Sequence, residues 1–491
     1  MTNYRNYFRH WPVVSGLVFL AGRLLALDAE QVLNYSWGSL TVKPQLDLTE
    51  QFTDNVFYGN NQIYRTNVYQ LATNVITVGG TNYILAPDTT VKGIVTKDIS
   101  VSRSQAPDFL IITSPGARLS YGYADANQLS FEYGLDKIFY LENPEYNTDQ
   151  HSITFKAKVS TGHLDLKGTD QMQFLSSFLS GGGIIANGQQ VNQQINRRLW
   201  TDDYILNYEI SPKTFAYFQG YHTDTDYNKG INVYDTATIR GTMGGGYNFS
   251  SLVSIFSEVH YGQSSIRPNL AGQINGPHSD FYGGFVGIRG DFTARLSGMV
   301  KVGYETRDFP GTTISGSGSP AVEASMTYVP GLKTQLKLDY SSRSEISPQF
   351  GRQIYTFDTI GLTVLQSIGT SGKWFVQMRG NLNINDYSDL VGQIPILATD
   401  VSGNYVFSGF IPGTYIQPAN TINQQVNVGR TDTQYSFSAT LVYQPRTWLQ
   451  FSLGYQFDHY SPAFRDAVYE STHPLIAYNA NQFTLRAAIG F

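Results

Sequence analysis

Asn481-Gln-Phe-Thr-Leu-Arg-Ala-Ala-Ile-Gly-Phe491, or NQFTLRAAIGF, ends the 491-residue chain. Phe483, Leu485, Ala487, Ile489 and Phe491 alternate with polar or small residues up to the last position. Most chains finish in a loose polar tail. Period two with one apolar face is instead the mark of a half-buried strand. Such a strand needs partners on both edges, because unpaired backbone groups and a bare apolar face are costly. The rest of the chain has to supply them.

It does so by repeating the pattern. In SLTVKPQLDLTEQF, Leu40, Val42, Leu46 and Leu48 share a face, opposite Thr41, Lys43, Gln45, Asp47 and Thr49. In NQLSFEYGLDKIFYL, Leu129, Phe131, Tyr133, Leu135 and Phe139 oppose Ser130, Glu132 and Asp136. SITFKAKVST places Ile153, Phe155, Ala157 and Val159 against Lys156 and Lys158, and WLQFSLGYQF repeats the scheme with Leu449, Phe451, Leu453, Tyr455 and Phe457.

Composition agrees with a chain made of strands. Aromatic residues are 14%, including 34 Tyr and 29 Phe, and there are 47 Gly. Charged residues are 14%, well below the roughly 25% of an ordinary soluble chain. The net charge of −5 and the scattered basic residues give no footprint for nucleic acid. There is no cysteine. At the N-terminus, Arg5, Arg9 and His10 precede an apolar stretch from Trp11 to Ala21, and Ala26 and Ala29 follow it. That order is a secretory signal, expected over 1–29. The apolar run is too short for a spanning helix, which takes about 20 residues.

The connections decide the architecture. Short ones rich in Gly, Pro, Asn, Asp and Ser fall at 124–127, 161–163, 211–213, 249–252, 290–294, 329–332, 367–372 and 444–447. Longer polar stretches alternate with them, the longest at 58–107 and 387–431. Long then short along an up-and-down sheet gives one rim of tight turns and another of loops. The expected fold is therefore all-β, a transmembrane antiparallel barrel of about 18 strands (16 to 20), with short periplasmic turns and long extracellular loops. It spans 30–491, and 58–107 reads either as a hairpin standing on the outer loop or as another membrane pair. Closure answers the opening question. The last strand pairs with its predecessor and with the strand at 39–52, leaving no edge. Phe483, Leu485 and Ile489 then meet lipid, and Phe491 sits at the periplasmic rim.

Three stretches, PQLDLTEQFTDNVFYGNN at 44–61, DFLIITSPGARLSYGY at 108–123 and GYETRDF at 303–309, resemble the family described as putative β-barrel porin 2. The resemblance implies a bacterial outer-membrane channel, in some members linked to exopolysaccharide export. It implies no catalytic residue. A terminal strand ending in Phe also resembles the signal read by the barrel-assembly machinery, through Phe483, Leu485 and Phe491.

The polar face supplies the candidate site. Lys156, Lys158, Arg240, Glu258, Lys301, Glu305, Lys337, Asp339 and Arg379 are the principal lumen-facing charges expected, with Asp224 and Asp226 among the acidic ones. Charges this numerous belong in water or in mutual pairs, because dry burial costs several kcal/mol each. The signs nearly balance, so only weak selection between small cations and anions is expected. His222, Asp224 and Asp226 in YHTDTDY have the donor types of a cation site, but a polar loop base accounts for them more simply. Arg307 and Asp308 read as a rim ion pair. Glycine runs such as GTMGGGYNF lack the strand, helix and Lys of a phosphate loop, and read as relief of wall curvature. Tyr121, Tyr123, Tyr133, Phe139, Tyr204, Tyr208, Trp374, Trp448 and Tyr455 fall on the outward face as a lipid girdle. No nucleophile elbow appears, and no cofactor or metal is expected. The readings left open are a solute channel, a non-conducting scaffold plugged by its loops and, far behind, an outer-membrane hydrolase. Expected partners are lipid, the assembly machinery, and small solutes or an exported polysaccharide.

Overall fold

The computed structural model describes residues 35–56, 106–122, 127–177, 194–227, 234–268, 278–311, 316–346, 354–387, 429–465 and 477–490, with short strands inside the long connections. The expected signal at 1–29, Tyr123 and Phe491 lie outside the described residues.

Eighteen strands form a closed antiparallel wall. They are β1 (Leu40–Thr53), β2 (Asp108–Gly122), β3 (Gln128–Tyr140), β4 (Thr148–Thr161), β5 (Leu164–Ser177) and β6 (Ile195–Ser211). Next come β7 (Thr214–Tyr227), β8 (Asp235–Asn248), β9 (Val253–Arg267), β10 (His278–Thr293), β11 (Leu296–Asp308) and β12 (Ser317–Gly331). The last are β13 (Thr334–Ile346), β14 (Ile354–Ile368), β15 (Trp374–Tyr387), β16 (Arg430–Arg446), β17 (Leu449–Phe464) and β18 (Tyr478–Ile489). Each pairs with the next. β18 returns to β1, from Leu46 opposite Ile489 to Thr53 opposite Gln482.

That closing seam is shorter than its neighbours. It pairs eight positions, against fourteen between β1 and β2. Below the end of β18, the free edge of β1 is covered by a three-residue strand, Tyr35–Trp37, which pairs Tyr35 with Val42 and Trp37 with Leu40. At the other end, Asn481 donates its backbone N–H and its Nδ2 to the two Asp54 carboxylate oxygens, both at 2.7 Å. The Asn55 amide donates to the Asn479 carbonyl, also at 2.7 Å. Inside the wall, Arg486 on β18 is paired with Asp47 on β1.

The short connections link strands such as β4 to β5 and β6 to β7 through two residues. Gly162 adopts φ of +53° in one of them, a conformation that favours glycine. Register shifts sit at this rim, at Ser211, Thr293, Gly331 and Arg446, where bulges let a barrel wall bend. A belt of hydrogen bonds runs round the same rim. Each hairpin turn accepts from the end of the strand beyond it, as in Glu209 N–H to His163 O (2.8 Å), Asn248 to Lys213 (2.8 Å), Val329 to Arg295 (2.8 Å) and Gly490 to Trp448 (2.9 Å).

The long connections carry their own hairpins. Tyr64–Leu71 pairs with Val91–Ile99, and Val391–Leu397 with Thr421–Asn427. Neither joins the barrel sheet.

The exterior is apolar. Phe218, Met243, Val259, Val286, Tyr304 and Leu453 point outward, and Met243 is 63% and Leu453 57% exposed. A soluble protein does not leave such a continuous surface bare. Tyr121, Tyr133, Phe139, Tyr204, Tyr208 and Trp374 are exposed with them. Trp448 differs from its expected outward place. It lies at 6% exposure in the β16–β17 turn, packed with Leu449, Phe451 and Ile489, because the turn folds its ring onto the rim.

Candidate functional site: the barrel lumen

Strict alternation makes the face opposite Phe218 and Leu453 the lumenal one. Its side chains form rows across neighbouring strands. Arg240 and Glu258 on β8 and β9, Lys301 and Glu305 on β11, Lys337 and Asp339 on β13, and Arg379 on β15 all occupy this face by register. Lys156 and Lys158 do so on β4, opposite Ser130 and Gln128.

Most of these charges meet an opposite one. Lys301 Nζ lies 2.8 Å from Glu258 and 2.8 Å from Glu323. Tyr217 donates its hydroxyl to Glu258, and the Lys301 ammonium sits 4.7 Å above the Phe285 ring. Lys337 pairs with Asp339 at 3.0 Å, and Ser325 donates to the same carboxylate at 2.7 Å. Arg118 meets Glu132 at 2.8 Å. Glu305 is shared between His260 Nε2 at 3.1 Å and Arg307 at 3.6 Å. Arg379 donates to Asn381 at 3.2 Å. Exposed pairs such as Lys337–Asp339 contribute less than about 1 kcal/mol. Lys301 and Glu258 are 14% and 9% exposed, so each depends on the other for its solvation.

A second feature was not legible from alternation. The rings of Phe215, Tyr217, Phe256, Phe281 and Phe285 lie on the lumenal face, where polar residues were expected. They rest flat over Gly246, Gly244, Gly287, Gly262 and Gly303, and a Cβ at any of these glycines would strike the ring. The glycines of GTMGGGYNF therefore serve ring packing on the inner wall, beyond the curvature relief expected of them. Cations lie in turn over the rings. Arg289 is 4.6 Å above Phe215, and Arg307 is 4.5 Å above Phe281. Each ring covers bare backbone and pins a cation against the wall. The signal in the sequence is the match of aromatic and Gly positions in register between adjacent strands.

Two expectations are corrected. Asp224 and Asp226 do not face the lumen. Asp224 stands opposite Trp200 and shares parity with the outward Phe218. It meets Arg198 at 3.4 Å and Arg267 at 2.5 Å, and Asp226 meets Arg267 at 2.7 Å. His222, on the same face, pairs with Asp202 at 3.0 Å. The strands run on beyond the lipid, and there the outward face becomes polar too. Nor do Arg307 and Asp308 form an ion pair. As adjacent strand residues they point to opposite faces. Arg307 is buried inward, donating to Ser279 and the Ser344 carbonyl, while Asp308 accepts from Tyr282 outside.

A closed antiparallel barrel with an even strand number, an apolar exterior, an inner face of paired charges, and turns on one rim with loops on the other defines a bacterial outer-membrane barrel. The family model described as putative beta-barrel porin 2 matches residues 234–411, the stretch holding β8 to β15 and part of the following long connection.

No curated protein matches the chain in sequence. Among solved structures, the chain is similar to the outer membrane protein OpdK of Pseudomonas aeruginosa, at 9% identity and TM-score 0.38 over 91% of this chain and 99% of that one. It is similar to OpdO of Pseudomonas aeruginosa, at 11% identity and TM-score 0.37 over 92% and 97%. It is also similar to the siderophore receptor PirA of Acinetobacter baumannii, at 9% identity and TM-score 0.39 over 91% and 80%. The assignment of class rests on the closed sheet, its exterior and the family match.

Proposed function

We propose that the protein is a porin-like channel through which small hydrophilic solutes cross the outer membrane. The observation that carries this reading is the inner wall. An 18-strand barrel is too wide to be filled by its own side chains, and this one lines its interior with paired charges and hydroxyls instead of an apolar core. Near-balance of the signs favours weak selection between small ions. The loops at 58–107 and 387–431 are long enough to narrow the outer mouth. The assembly machinery would read the terminal strand through Phe483, Leu485 and Phe491, and an enzymatic step forms no part of the reading. A link to exopolysaccharide export is what the family resemblance adds.

One observation favours the plugged scaffold as a second reading. Arg430, Asp432, Tyr460 and Tyr478 face inward near the loop rim, and Arg430 is only 1% exposed. Buried inward side chains on β16 to β18 are what a plugged barrel would require there.

Single-channel recording of the purified barrel in a planar bilayer separates the two. The channel reading expects conductance proportional to salt and a reversal potential near zero under a salt gradient. Silence even after deletion of both long loops would overturn it.

A further inference from the structure

A recess of about 430 Å3 opens in the lumenal wall, lined from β7 to β11 and by β13 and β14. Register places Tyr221, Arg240, Gly262, Phe281 and Arg307 in one row across five strands. Gly262 offers no side chain, and the Phe281 ring lies over it. The row therefore has a flat floor between two arginines.

The arginines of the recess are unequal. Arg307 donates to Ser264 at 3.4 Å, to Ser279 at 3.1 Å and to the Ser344 carbonyl at 3.2 Å, with Glu305 at 3.6 Å. Arg343 faces Glu345 at 2.7 Å. Arg240 has no carboxylate partner among the described residues. Its guanidinium lies 5.2 Å from the Tyr221 ring, and its Nε is closed off from solvent without an acceptor. The Nε of Arg307 is in the same condition. Both Nε atoms are out of reach of water and therefore of a solute, so what the recess presents to the lumen is the tip of the Arg240 guanidinium, which meets no carboxylate among the described residues.

We propose that this recess binds a small hydroxylated monocarboxylate on its way through the lumen. The proposal rests on the channel reading above and names the solute class that such a channel would favour. The ligand's carboxylate accepts from the guanidinium tip of Arg240. Its hydroxyls meet Thr223, Thr238 and the Glu345 carboxylate. Charge selects a monoanion. Arg240, Arg307 and Arg343 supply three positive charges and Glu305 and Glu345 two negative ones, leaving one in excess. A dianion would meet the repulsion of both carboxylates, and a neutral sugar would leave the Arg240 donor unmet. The volume holds a six-carbon acid together with some water. This is compatible with weak ion selection overall, because one surplus cation on a wall of paired charges creates a local site and leaves the lumen's total charge nearly unchanged.

Sodium gluconate is the probe, with glucose and sodium chloride as controls, on the full-length barrel purified in detergent. Calorimetry should give saturable gluconate binding, no saturable binding of glucose, and no displacement of gluconate by equimolar chloride. Arg240→Met should weaken binding about tenfold or more. Arg240→Lys should restore part of it, since the charge returns without the two-pronged donor. Thr238→Val, which leaves the arginines in place, should weaken binding by a smaller factor, and heat-modifiable mobility verifies that each variant is closed. In bilayers, gluconate should produce brief current blockades that vanish in Arg240→Met. A conducting barrel that binds no gluconate, or binds it equally well after Arg240→Met, overturns the site and leaves the channel. Full displacement by chloride overturns the solute class. Arg240-dependent binding in a barrel that never conducts overturns the channel and keeps the site.

Discussion

Lys301 illustrates what a single residue can decide in this wall. It bridges Glu258 and Glu323, and it and Glu258 are largely withdrawn from water. Lys301→Met should therefore cost about 3 kcal/mol or more, because it strands two carboxylates. Adding Glu258→Gln should recover part of that loss. Urea unfolding of the barrel in lipid vesicles reads both, and additive losses would mean that the pair is not coupled. The outward face gives a matched test. Leu453→Arg should cost about 2–4 kcal/mol near the bilayer midplane, and its lumenal neighbour Ser452→Arg should cost little. Alternation sets Leu453 and Ser452 on opposite faces of the wall. It failed at Asp224 and Asp226, because polarity marks the lumen only within the depth of the membrane. It also passed over Phe281 and Phe285, because an inward ring is tolerated only where a neighbouring strand places a glycine beneath it.

At the scale of elements, the turns were the most legible part. Two-residue connections such as Gly162-His163 and Pro212-Lys213 announce themselves through residue type, and the strands between them followed. The insertion after β1 was ambiguous for a physical reason. Tyr64–Leu71 and Val91–Ile99 alternate as barrel strands do, and periodicity does not say which sheet a strand joins. Since that hairpin pairs only with itself, replacing 64–99 by a short Gly-Ser linker should leave the barrel closed. Its heat-modifiable mobility and unfolding midpoint should change by little, and loss of the closed form would place those strands in the wall after all. The short strand Tyr35–Trp37 was not foreseen, because three residues are too few to show a period.

For the whole molecule, the decisive feature is the seam. β1 and β18 share eight paired positions and rely on the Asp54–Asn481 clasp and the Arg486–Asp47 pair. Asp54→Ala removes the acceptor of two hydrogen bonds at the one junction not supported by a connecting turn. It should lower the temperature at which the folded band converts to the unfolded one, and by more than Asp339→Ala, which affects a single strand edge within the wall. Equal shifts for the two would show that the seam is no weaker than any other strand pair. Closure itself was legible in the alternation of the terminal strand, while the clasp was not, since Asp54 and Asn481 are 427 positions apart.

That separation has a consequence in time. Asp54 leaves the ribosome hundreds of residues before Asn481 exists, and at about 5–20 residues per second the wait is roughly 20 to 90 seconds. Throughout it, the stretch Leu46–Thr53 of the first strand has a greasy face and one unsatisfied edge, and the native partner of that stretch has yet to be made. Any carrier that escorts the chain to the membrane must therefore shield this strand for longer than any other part, and starving the cell of such carriers should expose β1 to proteases first.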